Sequence, residues 1–399
     1  MNGRSTAGRD LTQTAILSLL GRAGPMSRAD VARELDISPP TVTQVVKRLL
    51  DQGLVEELDH GPSRGGRRGQ LLGLVGTSAR AVGVKVATDH LAIVEARLDG
   101  SVLSSHTATF DALAPDVAGR LATVLQPFLR EQADIPLLGL GVGVPGIVDS
   151  PDSGRVEAAV LGWHDVPLGR HLRGAFGLPV LVENDVKALA VAEQLFGRGR
   201  RHRDFLVLTI GTGLGLAIVT GGTVYRGSRG GAGEVGHLPI DPDGRACACG
   251  RRGCLETIIS ASGLVHAAQT ARLLRRNQGI QRLLDLADGG NPTARKIYAN
   301  AATTLARATA ALITVLDPEI VIVLGEGVAA WQHWDQPFRT ELANTISAPT
   351  PPIEVEPWDD TAWAQGAAAI VLATPLDAAG HAGRQTDRVL ARFHRHTEN

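Results

Sequence analysis

Aromatic side chains are scarce in this chain, at 4% of 399 residues, with two Tyr and seven Phe. A protein so poor in ring faces cannot rely on stacking platforms for single-stranded nucleic acid. Cysteine is scarcer still: Cys247, Cys249 and Cys254 are the whole supply. An odd number of thiols crowded into eight positions is no disulfide framework, and fits a reducing compartment better. Charge of either sign is also lacking in excess. The formal net charge is -1, which excludes a globally basic nucleic-acid binder and leaves any basic surface to be local. The start, MNGRSTAGRD, has no apolar core of a secretory signal, and no apolar run reads as long enough to cross a bilayer. The expected location is the cytoplasm, with no membrane partner. Glycine, by contrast, is abundant at 47 residues, which favours tight turns and close backbone approach to ligands.

The three cysteines fall inside residues 226–256, RGSRGGAGEVGHLPIDPDGRACACGRRGCLE, with His237 shortly before them. Three thiolates and one imidazole fill the tetrahedron of Zn2+ and leave no position for a reactive water. His237, Cys247, Cys249 and Cys254 are therefore expected to hold a structural zinc ion. Such a staple would pin a glycine-rich loop so that Glu234, His237 and Glu256 converge, a grouping suited to hydrogen-bonding several hydroxyls of a sugar. Ordinary buried thiols are the competing reading, and spacing as tight as CACGRRGC is hard to explain by packing.

The amino-terminal stretch carries helix signals in quick succession. Leu11, Ala15, Leu19 and Leu20 give one apolar face to a first helix over about 11–20. Ser27, with Asp30 three places on, makes the start of a second, and Ser38 followed by Pro39 the start of a third after a short turn. In the third helix Val42, Val45, Val46 and Leu49 form the core stripe. Pro40, Thr41, Thr43, Gln44 and Lys47 lie on or beside the opposite face, near the helix N-terminus, where a recognition helix meets base edges. LVEELDH, GPSRGGRRGQ and LLGLV then read as a two-stranded wing whose tip holds Arg64, Arg67 and Arg68 with no acid among 61–70. That tip can reach phosphates or a narrow minor groove. Helix-turn-helix plus basic hairpin makes a winged helix; a small packing or dimerisation module is the alternative. Residues 1–70 hold ten Lys and Arg against eight Asp and Glu, so only the wing is clearly basic.

From about Ala79 strands and helices alternate. AVGVKVA, LAIVEARL and SVLSSHTATF read as three strands, 115–131 as a helix and LLGLGVGV as a buried, parallel strand. FLVLTIGTGLGLAIVTGGTVY repeats the opening pattern, which implies a duplicated α/β protein of two lobes with a ligand cleft between them. Helices are expected around 261–274, 280–287, 293–315, up to 345 and over 360–374, with a strand at EIVIVLG and a loosely held polar tail over 376–399. The loop Gly211 to Gly215 offers bare N-H groups to a phosphate, or is simply a strand turn. At the matching loop of the first lobe stand Lys85, Val86, Ala87, Thr88 and Asp89, where a nucleotide site needs glycines and a metal-holding carboxylate. Asp89 would repel a phosphate unless a cation intervened. Asn184 and Asp185 end the strand LPVLVE and open a helix, either as a ligand site or as a cap. Asp185 there can accept a hydroxyl proton as a base or hold the hydroxyl in a hydrogen bond.

GVGVPGIVD, VENDVKALA, IGTGLGLAIVTGG, GGAGEVGHLPI and CACGRRGCLE resemble the signature motifs of the ROK family, of repressors, open reading frames and kinases, over about 79–375. The resemblance implies an actin-like, hexokinase-like ATPase fold of two lobes, here preceded by a winged helix-turn-helix. It implies sugar-binding roles for Asn184, Asp185, Glu234, His237 and Glu256, with Asp185 at the position of the kinases' catalytic base, and zinc-ligand roles for His237, Cys247, Cys249 and Cys254. The kinases begin with an aspartate and a Gly-Gly-Thr phosphate loop, where this chain has Lys85 to Asp89 and a winged helix in front. Kinase chemistry depends on positioning the phosphates and magnesium, so losing half the phosphate cradle should cost much of the rate. The expected domains are 1–76, the winged helix; 77–183, the first lobe, completed by 358–375; 184–357, the second lobe with the zinc motif; and 376–399, the tail. The expected function is a sugar-responsive transcription regulator, a repressor of carbohydrate genes and not an enzyme, binding operator DNA as a homodimer, with tetramers left open. The alternative is an ATP-dependent sugar kinase carrying a DNA-binding domain.

Overall fold

The computed structural model describes residues 3–60, 70–129, 135–347, 349–357, 360–376 and 382–395. They fall into two compact units, Met1–Arg201 with Thr361–Asn399, and His202–Asp360.

The first unit opens with α1 (Gly3–Ala23), β1 (Met26–Ser27), α2 (Arg28–Glu34), α3 (Pro39–Asp51), β2 (Val55–His60) and β3 (Gln70–Leu74), the strands forming an antiparallel sheet in the order β1-β3-β2. The start signals work as their chemistry requires. Ser27 Oγ accepts from the Asp30 N-H at 3.2 Å and donates to its carboxylate at 2.7 Å, and Ser38 Oγ accepts from the Thr41 N-H at 3.4 Å, so both helices have orphan donors satisfied. Val42, Val45, Val46 and Leu49 of α3 are buried, as are Ile16, Val31, Leu54 and Leu72 around them. Helix α1 runs longer than its apolar stripe predicts. It stops at Gly24, whose φ of +77° lets its N-H bond the Leu20 carbonyl at 3.0 Å, a left-handed cap that a side chain would strain.

The unit continues through β4 (Arg80–Val86), β5 (His90–Arg97), β6 (Val102–Thr109), α4 (Val117–Leu125), β7 (Leu137–Val144), β8 (Ile147–Val148), β9 (Val156–Ala158), β10 (Trp163–Val166), α5 (Leu168–Phe176), β11 (Val180–Asn184) and α6 (Asp185–Leu195). The main sheet has the order β11-β7-β4-β5-β6, parallel over its first three strands and antiparallel over the rest. Every residue of β7 is buried, the behaviour of a strand covered on both faces. A second sheet, β10-β9-β8, was not foreseen; its strands are two to four residues long, too short to show a period in sequence.

The second unit holds β12 (Phe205–Ile210), β13 (Leu214–Thr220), β14 (Thr223–Val224), α7 (Glu256–Ile259), α8 (Ala261–Thr270), α9 (Ile280–Asp288), α10 (Pro292–Leu316), β15 (Ile320–Leu324), α11 (Trp331–Thr345) and β16 (Ile353–Val355). Its sheet, β14-β13-β12-β15-β16, again joins an antiparallel half to a parallel half, so the repeated opening in the sequence corresponds to a repeated strand layout. Contrary to the sequence expectation, one helix, α10, is long and apolar enough to cross a membrane by length and composition. Tyr298, Ala302, Leu305, Ala306 and Ile313 on it are buried in the core of this unit, which accounts for its composition.

The chain returns to the first unit with α12 (Thr361–Leu372) and α13 (Thr386–Arg395). Helix α12 lies against the main sheet at two glycines. A Cβ on Gly83 would come within 2.0 Å of the Ala364 carbonyl oxygen, and one on Gly141 within 1.8 Å of that of Ala367. Two boundaries differ from the sequence reading. The second unit begins at His202, not at 184, because α6 packs on α12: a Cβ on Gly366 would sit 3.0 Å from the Leu189 nitrogen. The expected loose tail instead contains α13, which buries Val389 and Phe393 and donates from Arg392 Nε to the Leu137 carbonyl at 2.5 Å. Its apolar residues are too few to stand out from the arginines around them.

Candidate functional site

The candidate metal centre is built by the loop between β14 and α7. His237 ends a short 3-10 turn, Val235–His237, and the cysteines follow in turns bridged at Ala246 and Arg252 and at Pro239 and Cys254. The ligand atoms of His237, Cys247, Cys249 and Cys254 all lie within 4.8 Å of one another. Cys247 Sγ is 3.5 Å from His237 Nδ1, and the Sγ atoms of Cys249 and Cys254 are 3.7 Å apart. The edge of a tetrahedron with metal-sulfur bonds of about 2.3 Å is about 3.8 Å, so the four donors have the spacing of a metal-binding group.

The three thiols differ in how readily they ionise. Burial opposes the Cys249 thiolate, but hydrogen bonds from the backbone and side chain of Arg251, then from Cys247 and Cys254, bring it down to about 6. Burial, and then the bonds with Cys249 and Cys247, push Cys254 up to about 12, and burial also raises Cys247. One thiol ionises readily while its neighbours resist a second negative charge, the pattern expected of ligands that need a bound cation to ionise together.

His237 Nδ1 faces the cysteines while its Nε2 lies 3.9 Å from Glu234 Oε2. Metal on Nδ1 leaves the proton on Nε2, a donor aimed away from the thiols. Glu256 opens α7 and accepts from the Leu214 N-H at 3.4 Å, and its Oε2 would lie 3.4 Å from a Cβ on Gly236. Glu234 and His237 thus lie on either side of Gly236, with the Glu256 carboxylate beside that backbone.

The Gly211 to Gly215 loop does join β12 to β13 as a tight turn. A Cβ on Gly211 would fall 1.8 Å from Glu326 Oε2 and one on Gly213 3.0 Å from Glu256 Oε2. The carboxylates of Glu256 and Glu326 thus lie beside this loop, and Glu326 is a residue that sequence reasoning missed.

In the first unit Asn184 takes the capping role at the start of α6. Asn184 Oδ1 caps α6 by accepting from the Lys187 N-H at 3.1 Å, while Nδ2 donates to the Gly146 carbonyl at 3.0 Å. Asp185 Oδ1 accepts from the Val186 N-H at 2.9 Å, and Oδ2 receives the Lys85 ammonium. Both side chains of that ion pair are nearly enclosed, 12% exposed for Lys85 and 8% for Asp185, and the ammonium also lies 4.4 Å from the Trp363 ring centroid. Lys85 stands out in the sequence as a departure from a phosphate loop; its partnership with Asp185 does not, because 100 residues separate them. Asp89, by contrast, is exposed and accepts from His90 Nδ1 at 2.8 Å, and that bond lowers its pKa.

On the winged helix Pro40, Thr41, Thr43, Gln44 and Lys47 are all exposed on α3. Two of the hydroxyls are used locally: Thr41 Oγ1 pairs with Ser38 Oγ at 2.7 Å, and Thr43 Oγ1 donates to the Pro39 carbonyl at 2.9 Å. Gln44 and Lys47 are the longest side chains presented. Arg64, Arg67 and Arg68 lie outside the described residues.

Comparison with known proteins places these features. Residues 81–374 match the ROK family. The chain belongs to the ROK family. Residues 7–69, ahead of the ROK portion, match the MarR family. The xylose repressor of Bacillus subtilis is 28% identical over 341 residues, covering 85% of this chain and 88% of that protein. Among solved structures, a ROK family transcriptional regulator described as a homolog of the E. coli MLC protein shares the fold with a TM-score of 0.79 at 24% identity, covering 98% of this chain and 99% of that one. A ROK family glucokinase from Streptomyces griseus, in complex with glucose and AMPPNP, has a TM-score of 0.65 at 25% identity, covering 73% of this chain and 99% of that one. The kinase thus matches about three quarters of this chain, while the regulator matches nearly all of it.

Proposed function

We propose that this ROK protein is a sugar-responsive transcription regulator, a repressor of carbohydrate genes, that catalyses no phosphoryl transfer. It works in the cytoplasm, on operator DNA, as a homodimer. Two-fold pairing is what lets one short helix per subunit read enough sequence. Gln44 and Lys47 of α3 reach base edges and backbone, with Pro40, Thr41 and Thr43 beside them and Arg64, Arg67 and Arg68 on the wing. Asn184, Asp185, Glu234, His237 and Glu256 take the hydroxyls of a sugar or sugar derivative. His237, Cys247, Cys249 and Cys254 hold a structural Zn2+, which fixes the Nε2 proton of His237 toward the ligand.

The observation that carries this reading is the Lys85 to Asp185 ion pair. A general base contributes on the order of 10²–10⁴-fold to a reaction, and an aspartate whose free oxygen is engaged by an ammonium forfeits that contribution. The same ammonium stands in a strand end where the family's kinases have an aspartate and a glycine loop. Glu326 beside Gly211 opposes nucleotide phosphate at the other loop. An aspartate held in this way still accepts hydrogen bonds from a ligand hydroxyl, so binding survives where catalysis does not.

The experiment is an operator-binding titration with D-xylose and D-glucose, run beside an assay for ADP release from MgATP. The reading predicts a sugar-dependent change in operator affinity and no ADP above background. Sugar-dependent ADP release that disappears in Asp185→Asn would make the protein a kinase instead.

A further inference from the structure

Two helices of the first unit start together and finish together. Helix α6 begins at Asp185 and α12 carries Trp363 in its first turn, so both N-terminal ends meet at the Lys85 ammonium. They pack side by side through Gly366, against Ala188 and Leu189. At about 1.5 Å per residue they carry that cluster about 16–18 Å across the unit.

Their far ends both grip α1 of the winged helix, at one place. Just past α6, in the 3-10 turn Arg198–Arg201, Arg200 reaches back to α1: its Nε donates to the Arg22 carbonyl at 2.9 Å and its Nη2 to the Gly21 carbonyl at 3.2 Å. These are carbonyls of the last turn of α1, which have no partner within the helix, and a guanidinium there also meets the negative end of the helix dipole. Just past α12, Leu376 packs on the same turn: a Cβ on Gly21 would stand 3.0 Å from Leu376 Cδ1. Gly24, which ends the helix, has Arg200 Nη2 3.2 Å from where its Cβ would be. A side chain at Gly21 would press on Leu376, so the end of α1 is held between the segments that follow the two helices.

We propose that α6 and α12 form a relay from the Lys85, Asp185 and Trp363 cluster to the winged helix, with Arg200 as the positioning residue that couples them to α1. This rests on the reading that a ligand engages Asp185. A hydroxyl that hydrogen-bonds the carboxylate competes with Lys85, and any change in the seating of the pair reaches the N-termini of both helices at once. Helices are stiff along their axes, so the displacement arrives at Gly21 and Arg22, where α1 re-aims α3. The relay transmits only the difference in affinity of the ligand for the two seatings.

The test uses the full-length chain with Arg200→Gln, which removes the charge and one donor arm, and Arg200→Lys as a gentler variant should the first fail to fold. The sugar, D-xylose or D-glucose, is the one to which wild-type operator affinity responds. Expected is sugar affinity within about twofold of wild type, sugar-free operator affinity preserved, and a ratio of operator affinities with and without sugar that falls toward one. An unchanged ratio in a folded variant overturns the proposal, because a merely structural arginine would leave that ratio alone. A second arm needs no ligand: Lys85→Met should raise amide exchange at residues 21–24 at least threefold more than any rise at the α3 amides, which report the general loss of stability. Unchanged exchange there refutes the relay even if no sugar proves to act, whereas a wild-type chain indifferent to both sugars with exchange raised at 21–24 counts against the functional reading and not against the relay.

Discussion

Lys85 donates its ammonium to Asp185, from the end of β4 to the start of α6, in a pair that is nearly shut off from solvent on both sides. A charge enclosed in this way depends on its partner. Removing one member of a buried pair costs about 3–5 kcal/mol, because the remaining charge is left without compensation, while replacing both with apolar groups is often neutral. Lys85→Met should therefore lower the urea midpoint of the chain clearly, and Lys85→Met combined with Asp185→Leu should regain most of the loss. A single variant as stable as wild type would show that the pair is solvated.

The metal centre makes a separable prediction. Cys249→Ser removes one of the four donors and should abolish stoichiometric zinc, read by metal analysis of the purified protein, and weaken sugar binding by loosening the loop that sets Glu234, His237 and Glu256. Operator binding in the absence of sugar should persist, since α3 lies in the other unit. Full sugar affinity in a metal-free variant would detach the metal from the ligand site.

Packing of α12 on the first sheet depends on glycine at β4. In Gly83→Ala the new methyl would meet the Ala364 carbonyl oxygen at 2.0 Å, a clash with backbone on a helix that also carries Trp363. Overpacking of this kind typically costs about 1–3 kcal/mol and occasionally more. The variant should lose stability in thermal unfolding and, through α12, alter the response to sugar.

On the winged helix the two long side chains of α3 separate by chemistry. Lys47→Ala should weaken binding to all DNA sequences alike and reduce the slope of log affinity against log salt by about one. Gln44→Ala should cost about 1–3 kcal/mol on the operator alone and relax preference at one base pair. Equal losses on operator and random DNA for both variants would place α3 outside the groove.

Acid sensitivity of the second unit has an identifiable contributor. Glu319 accepts from the Arg203 N-H at 2.7 Å and the Asp204 N-H at 3.0 Å, and these bonds hold its carboxyl below its ordinary value of 4.5. A depressed folded-state value means stability that is present above about pH 4.5 and lost as pH falls through the lower folded value. Urea midpoints measured between pH 6 and pH 3 should fall less steeply in Glu319→Gln than in wild type.

Much of this was legible from sequence because it is local. Ser27 with Asp30, and Ser38 with Pro39, announce α2 and α3 by capping chemistry that acts within three residues. The Cys247, Cys249 and Cys254 cluster, with His237, announces a candidate metal-binding group by spacing. The winged helix followed by a ROK body was readable for the same reason, since each motif is a continuous stretch. What sequence could not give were relationships across the chain. Lys85 reads as a lost phosphate loop until Asp185 is placed beside it, and Arg200 reads as one of several arginines until the carbonyls of Gly21 and Arg22 come within reach. The sequence reading divides the chain at 184, between a strand and α6, whereas the packing of α6 on α12, residues far apart in the chain, keeps both in one unit.

The central claim is that ligand occupancy is reported to DNA without chemistry. It is tested most directly by measuring, in one sample, operator affinity and ADP formation while D-xylose or D-glucose is added to the zinc-loaded chain with MgATP. The account predicts an operator affinity that shifts by at least about fivefold, within the usual range of allosteric coupling, and no ADP beyond that of the Asp185→Asn control. Operator affinity that stays constant while ADP accumulates with sugar would contradict it.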